Sequence, residues 1–195
     1  MSDTTGISPF SAAFVFVETA TNPGEHSVLP KSGDAHAVRR KLMEQASGEV
    51  VFAHPLAGPA DLLTLIRGRD SKDLLSVLHK RIRSLSLDSH NYVARTQSHI
   101  VTSSFGKPLV RETFENVRLG AWILGTVGVP DPAQDIATYL LKDRRITVVA
   151  PVLGQFDIFI FVQADDLRSL TEVIDQKIRT LRHFISTDTR IMFTP

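Results

Sequence analysis

Short apolar runs alternate with amphipathic stretches along the whole chain. The first run, residues 12–17, is rich in β-branched and aromatic side chains and has the length of a buried strand. Residues 21–33 carry two prolines and two glycines and predict a loop. Asp34 is placed to cap a helix with Ala37, Val38, Leu42 and Met43 on its apolar stripe, and Gly48 predicts its end. Strands are predicted over 49–55 and 61–67, joined by a tight turn. A helix over 70–85 follows, with Asp70 as its cap and Leu74, Val77, Leu78, Ile82 and Leu85 at helical spacing. A strand over 92–102 closes the series. The order is βαββαβ.

Residues 102–119 break the pattern with Gly106, Pro108 and a charged segment, and predict a connector with a short helix at 112–118. The scheme then restarts. A strand at 121–127 leads to Asp131-Pro132, a cap followed by proline at the first helical position, opening a helix to about Lys142. Strands at 146–153 and 156–163 form a hairpin. Asp165 or Asp166 caps a helix striped by Leu167, Leu170, Val173, Ile174, Ile178 and Leu181, and a strand over 187–193 ends the unit.

The two halves also match residue for residue. Adding 96 to any position in 53–85 gives its counterpart, so that Asp70, Leu74, Val77, Ile82, Arg83 and Leu85 meet Asp166, Leu170, Val173, Ile178, Arg179 and Leu181. A self-match at fixed offset through both a strand and a helix predicts a tandem duplication. The expected division is 12–101 for the first repeat, 102–119 for the connector and 120–195 for the second repeat.

A βαββαβ unit with both helices on one face of an antiparallel sheet is the ferredoxin-like arrangement. In a lone unit the other face meets water and its strands alternate apolar with polar. Here Ile158, Ile160 and Val162 point one way while Phe159 and Phe161 point the other, and Leu63 and Leu65 back onto Leu62 and Ile66. Leaving several such residues in water would cost several kcal/mol at about 25 cal/mol per Å². The expectation is therefore an α+β chain of two tandem ferredoxin-like repeats packed sheet to sheet as an intramolecular pseudo-dimer.

Composition narrows the function classes. Repeats of about 80 residues stand near the lower limit of independent stability. Apolar residues at 43% and charged residues at 22% describe an ordinary folded protein. The formal charge of +1 comes from 22 basic and 21 acidic residues, without the basic stripe of a nucleic-acid binder. The absence of cysteine excludes disulfides, thiolate zinc sites and cysteine nucleophiles. The short polar N-terminus has no signal pattern and no run reaches membrane-spanning length, so a cytoplasmic location is expected.

The order strand, helix, strand, Gly-x-x-Asp turn, apolar strand, amphipathic helix and a final strand of the type Thr187-Asp188-Thr189-Arg190-Ile191 resembles the ligand-binding (RAM-type) domain of the Lrp/AsnC transcription regulators. The second repeat matches along its length and the first more loosely. The resemblance implies paired four-stranded sheets, further assembly into a homo-oligomer, and a small effector, typically an amino acid, bound near the Gly-x-x-Asp turn. Carried over by position, that implies ligand contacts from Gly154, Gln155, Phe156 and Asp157, and from Gly58, Pro59, Ala60 and Asp61. The last strand adds Thr187, Asp188 and Thr189, with Thr96 and Ser98 as their counterparts. The family's helix-turn-helix has no room before the first strand here, so direct DNA reading is not expected.

Each feature also has a structural explanation. Glycine permits positive φ in a hairpin and aspartate satisfies nearby backbone donors, which accounts for the Gly-x-x-Asp turns without a ligand. If one turn keeps a ligand, the second has more polar handles, since Pro59-Ala60 replaces Gln155-Phe156. The seven histidines show no metal spacing, and no metal or cofactor is expected. His54, at a strand end beside Pro55, is the first to test in an enzyme. Basic clusters at 39–41, 80–83 and 144–145 read as solvated helix faces. No phosphate-cradling glycine motif or nucleophile motif is present.

Two functions follow. The leading one is a non-enzymatic module for an amino-acid-like effector, regulatory through oligomerisation or a partner protein and without direct DNA contact. The alternative is a small α/β-barrel enzyme, of monooxygenase or decarboxylase type, with a cavity between the sheets. In such enzymes apolar walls with one or two polar groups suffice.

Overall fold

A computed structural model describes residues 11–19, 32–45, 48–57, 60–87, 93–128 and 133–192. They fall into two compact units, one within Phe10–Ser98 and the other within His99–Pro195. The chain is α+β and each unit carries one ferredoxin-like repeat. Gly58 and Pro59 of the first Gly-x-x-Asp turn lie outside the described residues.

In the first unit β1 (Ser11–Thr19), α1 (Ser32–Gln45), β2 (Val50–Pro55), β3 (Leu62–Gly68), α2 (Ser71–Val77) and β4 (Val93–Val101), whose last three residues already belong to the second unit, follow the predicted order. The strands are arranged β2-β3-β1-β4. One face packs Ala13, Val15, Val17, Leu62 and Ile66 against Val38, Leu42, Leu74, Val77 and Ile82 of the helices. The opposite face, with Phe14, Phe16, Phe52, Leu63 and Leu65, is equally buried. Asp70 caps α2 as expected, its carboxylate accepting from Asp73 N at 2.8 Å. The helix predicted over 70–85 is not uniform. After Val77 it widens into a π-helical stretch, Leu78–Arg83, and then ends as α3 (Ser84–Leu87).

The second unit holds β5 (Phe105–Gly106), α4 (Arg111–Phe114), β6 (Leu119–Val127), α5 (Ala133–Leu140), β7 (Ile146–Leu153), β8 (Ile158–Ala164), α6 (Leu167–Val173) and β9 (Phe184–Ile191). Its sheet runs β7-β8-β6-β9. Ala121, Ile123, Ile158, Ile160 and Val162 meet Ile136, Leu140, Leu170, Val173 and Ile178 on the helical side. Asp166 caps α6 through Ser169 N at 2.7 Å, and a π-helical stretch, Ile174–Ile178, again follows.

Positions 96 apart take the same local geometry. The register of β2 on β3 slips between Val50 and Phe52, and that of β7 on β8 between Ile146 and Val148. Arg67 N donates to Glu49 O and Gln163 N to Arg145 O, each at 2.8 Å. The repeated bulge, caps and π-helical stretches make the two units one topology built twice.

Two boundaries differ from the sequence reading. The connector helix is a single turn, because Glu115 is extended and Asn116 turns left-handed with φ 59°. The last strand starts at Phe184 rather than Thr187, since Phe184 packs against the helical-side core and extends the pairing with β6.

The outer edge of β7 is covered within its own unit. Ile100 and Val101 at the end of β4 pair with Leu153 and Val152, Thr102 N donates to Pro151 O, and β5 pairs Phe105 with Val149. A covered edge cannot recruit a foreign strand. Among the described residues no helix is long and apolar enough to cross a membrane.

Candidate functional site

The second Gly-x-x-Asp turn joins β7 to β8. Val152 N donates to Asp157 O at 2.8 Å, and Asp157 N to Gly125 O at 2.9 Å. The carboxylate of Asp157 accepts from Val127 N at 2.8 Å and fixes the turn to the end of β6. The first turn repeats this with Leu56 N to Asp61 O and Asp61 N to Val17 O. There the carboxylate accepts from both Thr19 N, at 2.6 Å, and Thr19 Oγ1, at 2.8 Å. Each aspartate therefore ties its turn to the strand beside it. Gly154, Gln155 and Asp157 are exposed, Phe156 and Asp61 are half-buried, and Ala60 is buried.

On β9, Thr187 pairs with Gly125, Asp188 with Leu124 and Thr189 with Ile123. Directly opposed residues share a sheet face, so Thr187 and Thr189 lie on the helical side and Asp188 on the other. The three do not converge. Asp188 pairs instead with Arg190 (Nη2 to Oδ2, 2.5 Å), whose side chain is 12% exposed. Thr96 and Ser98 lie on β4, half-buried and exposed respectively.

The face of the second sheet turned away from its helices carries a wall of aromatic rings. Trp122 and Phe161 lie 4.8 Å apart between centroids, and Trp122 and Phe159 6.4 Å. Phe114, on the connector turn, covers both Trp122 at 5.6 Å and Phe161 at 5.2 Å. Offset and edge-on ring pairs at these distances stabilise the wall beyond simple burial. Arg190, opposite Trp122 on β9, brings a guanidinium to the same face.

His99 stands at the other end of the wall, fully buried, with its ring 5.1 Å from Phe159 and 5.7 Å from Phe156. It lies directly beneath Gly154, where any β-carbon would collide with the ring. Gly154 is thus glycine because of a close approach, not because of positive φ, which among the described glycines occurs at Gly48 and Gly106. Burial lowers the basicity of His99 and keeps the imidazole neutral. Sequence reasoning placed His99 among surface or packed histidines. Its pairing with Gly154 was not visible, since the two residues are brought together by β4 crossing to β7.

His54, in the first unit, stacks on Phe52 with centroids 4.3 Å apart. Burial, and then the charge of Arg39, push its pKa down to about 3. The Arg39 guanidinium is itself held by Ala53 O at 3.0 Å.

No family model and no curated protein matches the chain. Solved structures do. The siroheme decarboxylase NirDL is 8% identical over 95% of this chain and 72% of its own, with a TM-score of 0.58. Its complex with an iron-uroporphyrin III analogue scores 0.59. A mutant chlorite dismutase from Candidatus Nitrospira defluvii, in complex with cyanide, is 16% identical over 100% of this chain and 96% of its own, at 0.55. AsnC of Escherichia coli is 18% identical over 62% of this chain and 72% of its own, at 0.38. The near-complete matches establish the fold, and the Lrp/AsnC likeness extends over part of the chain.

Proposed function

We propose that this protein is an enzyme acting on a large, flat, carboxylate-bearing ring of the tetrapyrrole class, with decarboxylation as the reaction. The observation that carries the reading is the wall of the second unit. Trp122, Phe159 and Phe161 supply stacking area, Arg190 a guanidinium whose Nη2 is taken by Asp188 but whose buried Nε is left for a carboxylate, and His99 a neutral imidazole in apolar surroundings. The siroheme decarboxylase among the near-complete structural matches acts on such a ring.

In decarboxylation the bond to the carboxylate carbon breaks, carbon dioxide leaves without a change of redox state, and the electron pair left behind takes up one proton. Water supplies that proton, and the role assigned to His99 is to relay it, a neutral imidazole donating from one ring nitrogen as it accepts at the other. Because the rings are covered, a substrate reaches them only if a covering element lifts. The connector turn carrying Phe114, one helical turn long, is the covering element assigned to move.

A second reading rests on one observation: Gly154, Gln155 and Asp157 present an exposed turn with a carboxylate to solvent. This is the amino-acid effector module, acting through homo-oligomerisation.

The test is titration with iron-uroporphyrin III, followed by its Soret absorption and by quenching of Trp122, the sole tryptophan. Saturable quenching, weakened by Arg190→Gln, with carbon dioxide release lost in His99→Ala, supports the enzyme. No binding at about 100 μM ring, about a hundred-thousandfold above a nanomolar Kd, overturns it. A saturable thermal shift with an amino acid, abolished by Asp157→Ala, establishes the effector module instead.

A further inference from the structure

The charge of the chain is nearly balanced as a whole but not locally. Between the end of α5, the turn into β7 and the π-helical stretch after α6 lies a depression of about 470 Å³. Tyr139, Lys142, Asp143, Arg144, Arg145 and Lys177 line it, four cations against one carboxylate, in a protein whose formal net charge is +1.

The carboxylate is already engaged. Arg145 donates from Nε to one oxygen of Asp143 at 3.0 Å and from Nη2 to the other at 2.7 Å, and its backbone N–H donates to Asp143 Oδ1 at 3.0 Å. Its remaining Nη1 reaches Ser169 Oγ at 3.1 Å. Asp143 and Arg145 therefore form a rigid, mutually neutralised floor. Glu172 acts on Arg145 and Lys177 on Asp143 at longer range. The side chains of Lys142, Arg144 and Lys177 remain exposed around this floor, without a side-chain hydrogen bond or ion pair among the described residues.

From this we infer that the depression binds a small molecule carrying two or more adjacent phosphate groups. Of the two planar forks, that of Arg145 is occupied by Asp143, and two of the three remaining cations, Lys142 and Lys177 beside Arg144, are lysines. Lysine recognises phosphate as a point charge, without the planar geometry that carboxylates favour. The volume exceeds what inorganic pyrophosphate fills and leaves Tyr139, 42% exposed as a residue, as a face for an attached base. The site is separate from the aromatic wall and does not depend on the reaction proposed there.

The experiment is isothermal titration of the full chain with pyrophosphate, with ADP, and with citrate as a carboxylate control. Saturable binding of pyrophosphate or ADP, weakened about tenfold by Arg144→Gln and again by Lys177→Gln, and falling steeply with salt, is expected. Tighter binding of ADP that Tyr139→Leu reduces to the pyrophosphate level identifies a nucleotide. Equal binding of the two identifies the phosphate groups alone. Citrate binding as tightly as pyrophosphate overturns the assignment, as does affinity unmoved in the double variant or no saturable heat with either phosphate ligand. The substituted side chains are exposed, and unchanged melting temperatures confirm that each variant is folded.

Discussion

His99 occupies the space that a side chain at Gly154 would need: a β-carbon there would run into Nδ1, Cγ and Cε1 of the imidazole. A histidine from the end of one strand and a glycine from a turn over 50 residues later have thus been fitted to each other. The turn can close only over a ring of this shape, and the ring is buried only because the turn closes.

Gly154→Ala should therefore destabilise the protein by about 1–3 kcal/mol, the usual cost of overpacking. The double variant with His99→Ala should recover part of that loss, because the colliding ring is gone. Urea denaturation of the two single variants and the double variant checks this. Additive losses would mean that residues 99 and 154 do not interact.

The two turn aspartates should matter for stability in the absence of any ligand. Asp61 accepts two hydrogen bonds from Thr19 and is half-buried, whereas Asp157 accepts one from Val127 and is exposed. Hydrogen bonds to charged groups contribute about 1.5–3 kcal/mol, less at exposed sites. Asp61→Ala should accordingly lower the melting temperature more than Asp157→Ala. The reverse order would show that the second turn carries strain or a function beyond fixing the hairpin.

Acid should weaken the fold earlier than its carboxylates alone would dictate. The pKa of His54 falls from 6.5 to about 3 on folding, through burial and the charge of Arg39. Between those values the unfolded chain binds a proton that the folded chain does not. His54 therefore favours the folded state fully above about pH 6.5, and that contribution is lost as pH falls toward 3. Stability should drop by up to about 1.4 kcal/mol per pH unit through this window. Burial of His99 acts with the same sign. Asp143, held below the usual carboxylate range by Arg145, adds its loss only at lower pH. Denaturation midpoints at pH 7, 6 and 5 should fall in the parent and flatten in His54→Phe, a variant that keeps a ring on Phe52.

The elements themselves were legible because their signals are local. Asp70 and Asp166 announce helix starts, and Phe159 and Phe161 set against Ile158 and Ile160 announce a sheet buried on both faces. What the pattern could not show was long-range geometry. The π-helical stretches after Val77 and Val173 keep the apolar spacing of an ordinary helix. The split of Thr187 and Thr189 from Asp188 follows from strand parity, which a reading by motif alone passes over. Trp122 was visible as a strand residue, but its cover by Phe114 depends on how an irregular connector folds back. His99 carried no signal at all, since nothing near it in sequence marks Gly154 as its neighbour.

That cover supplies the remaining prediction. Phe114 is the one described residue of α4 whose ring meets both Trp122 and Phe161, and it is buried to 3% exposure although its helix is a single turn. Phe114→Ala removes those contacts and should cost about 3–5 kcal/mol if the wall cannot close over the gap. It should also admit water to Trp122, whose emission would shift to longer wavelength before global unfolding. Phe114→Leu keeps most of the volume but loses the ring pairs, so it should restore most of the stability and the blue emission. Should Phe114→Ala leave both emission and stability unchanged, the connector would not be the covering layer, and the route to the wall proposed for a substrate would have to lie elsewhere.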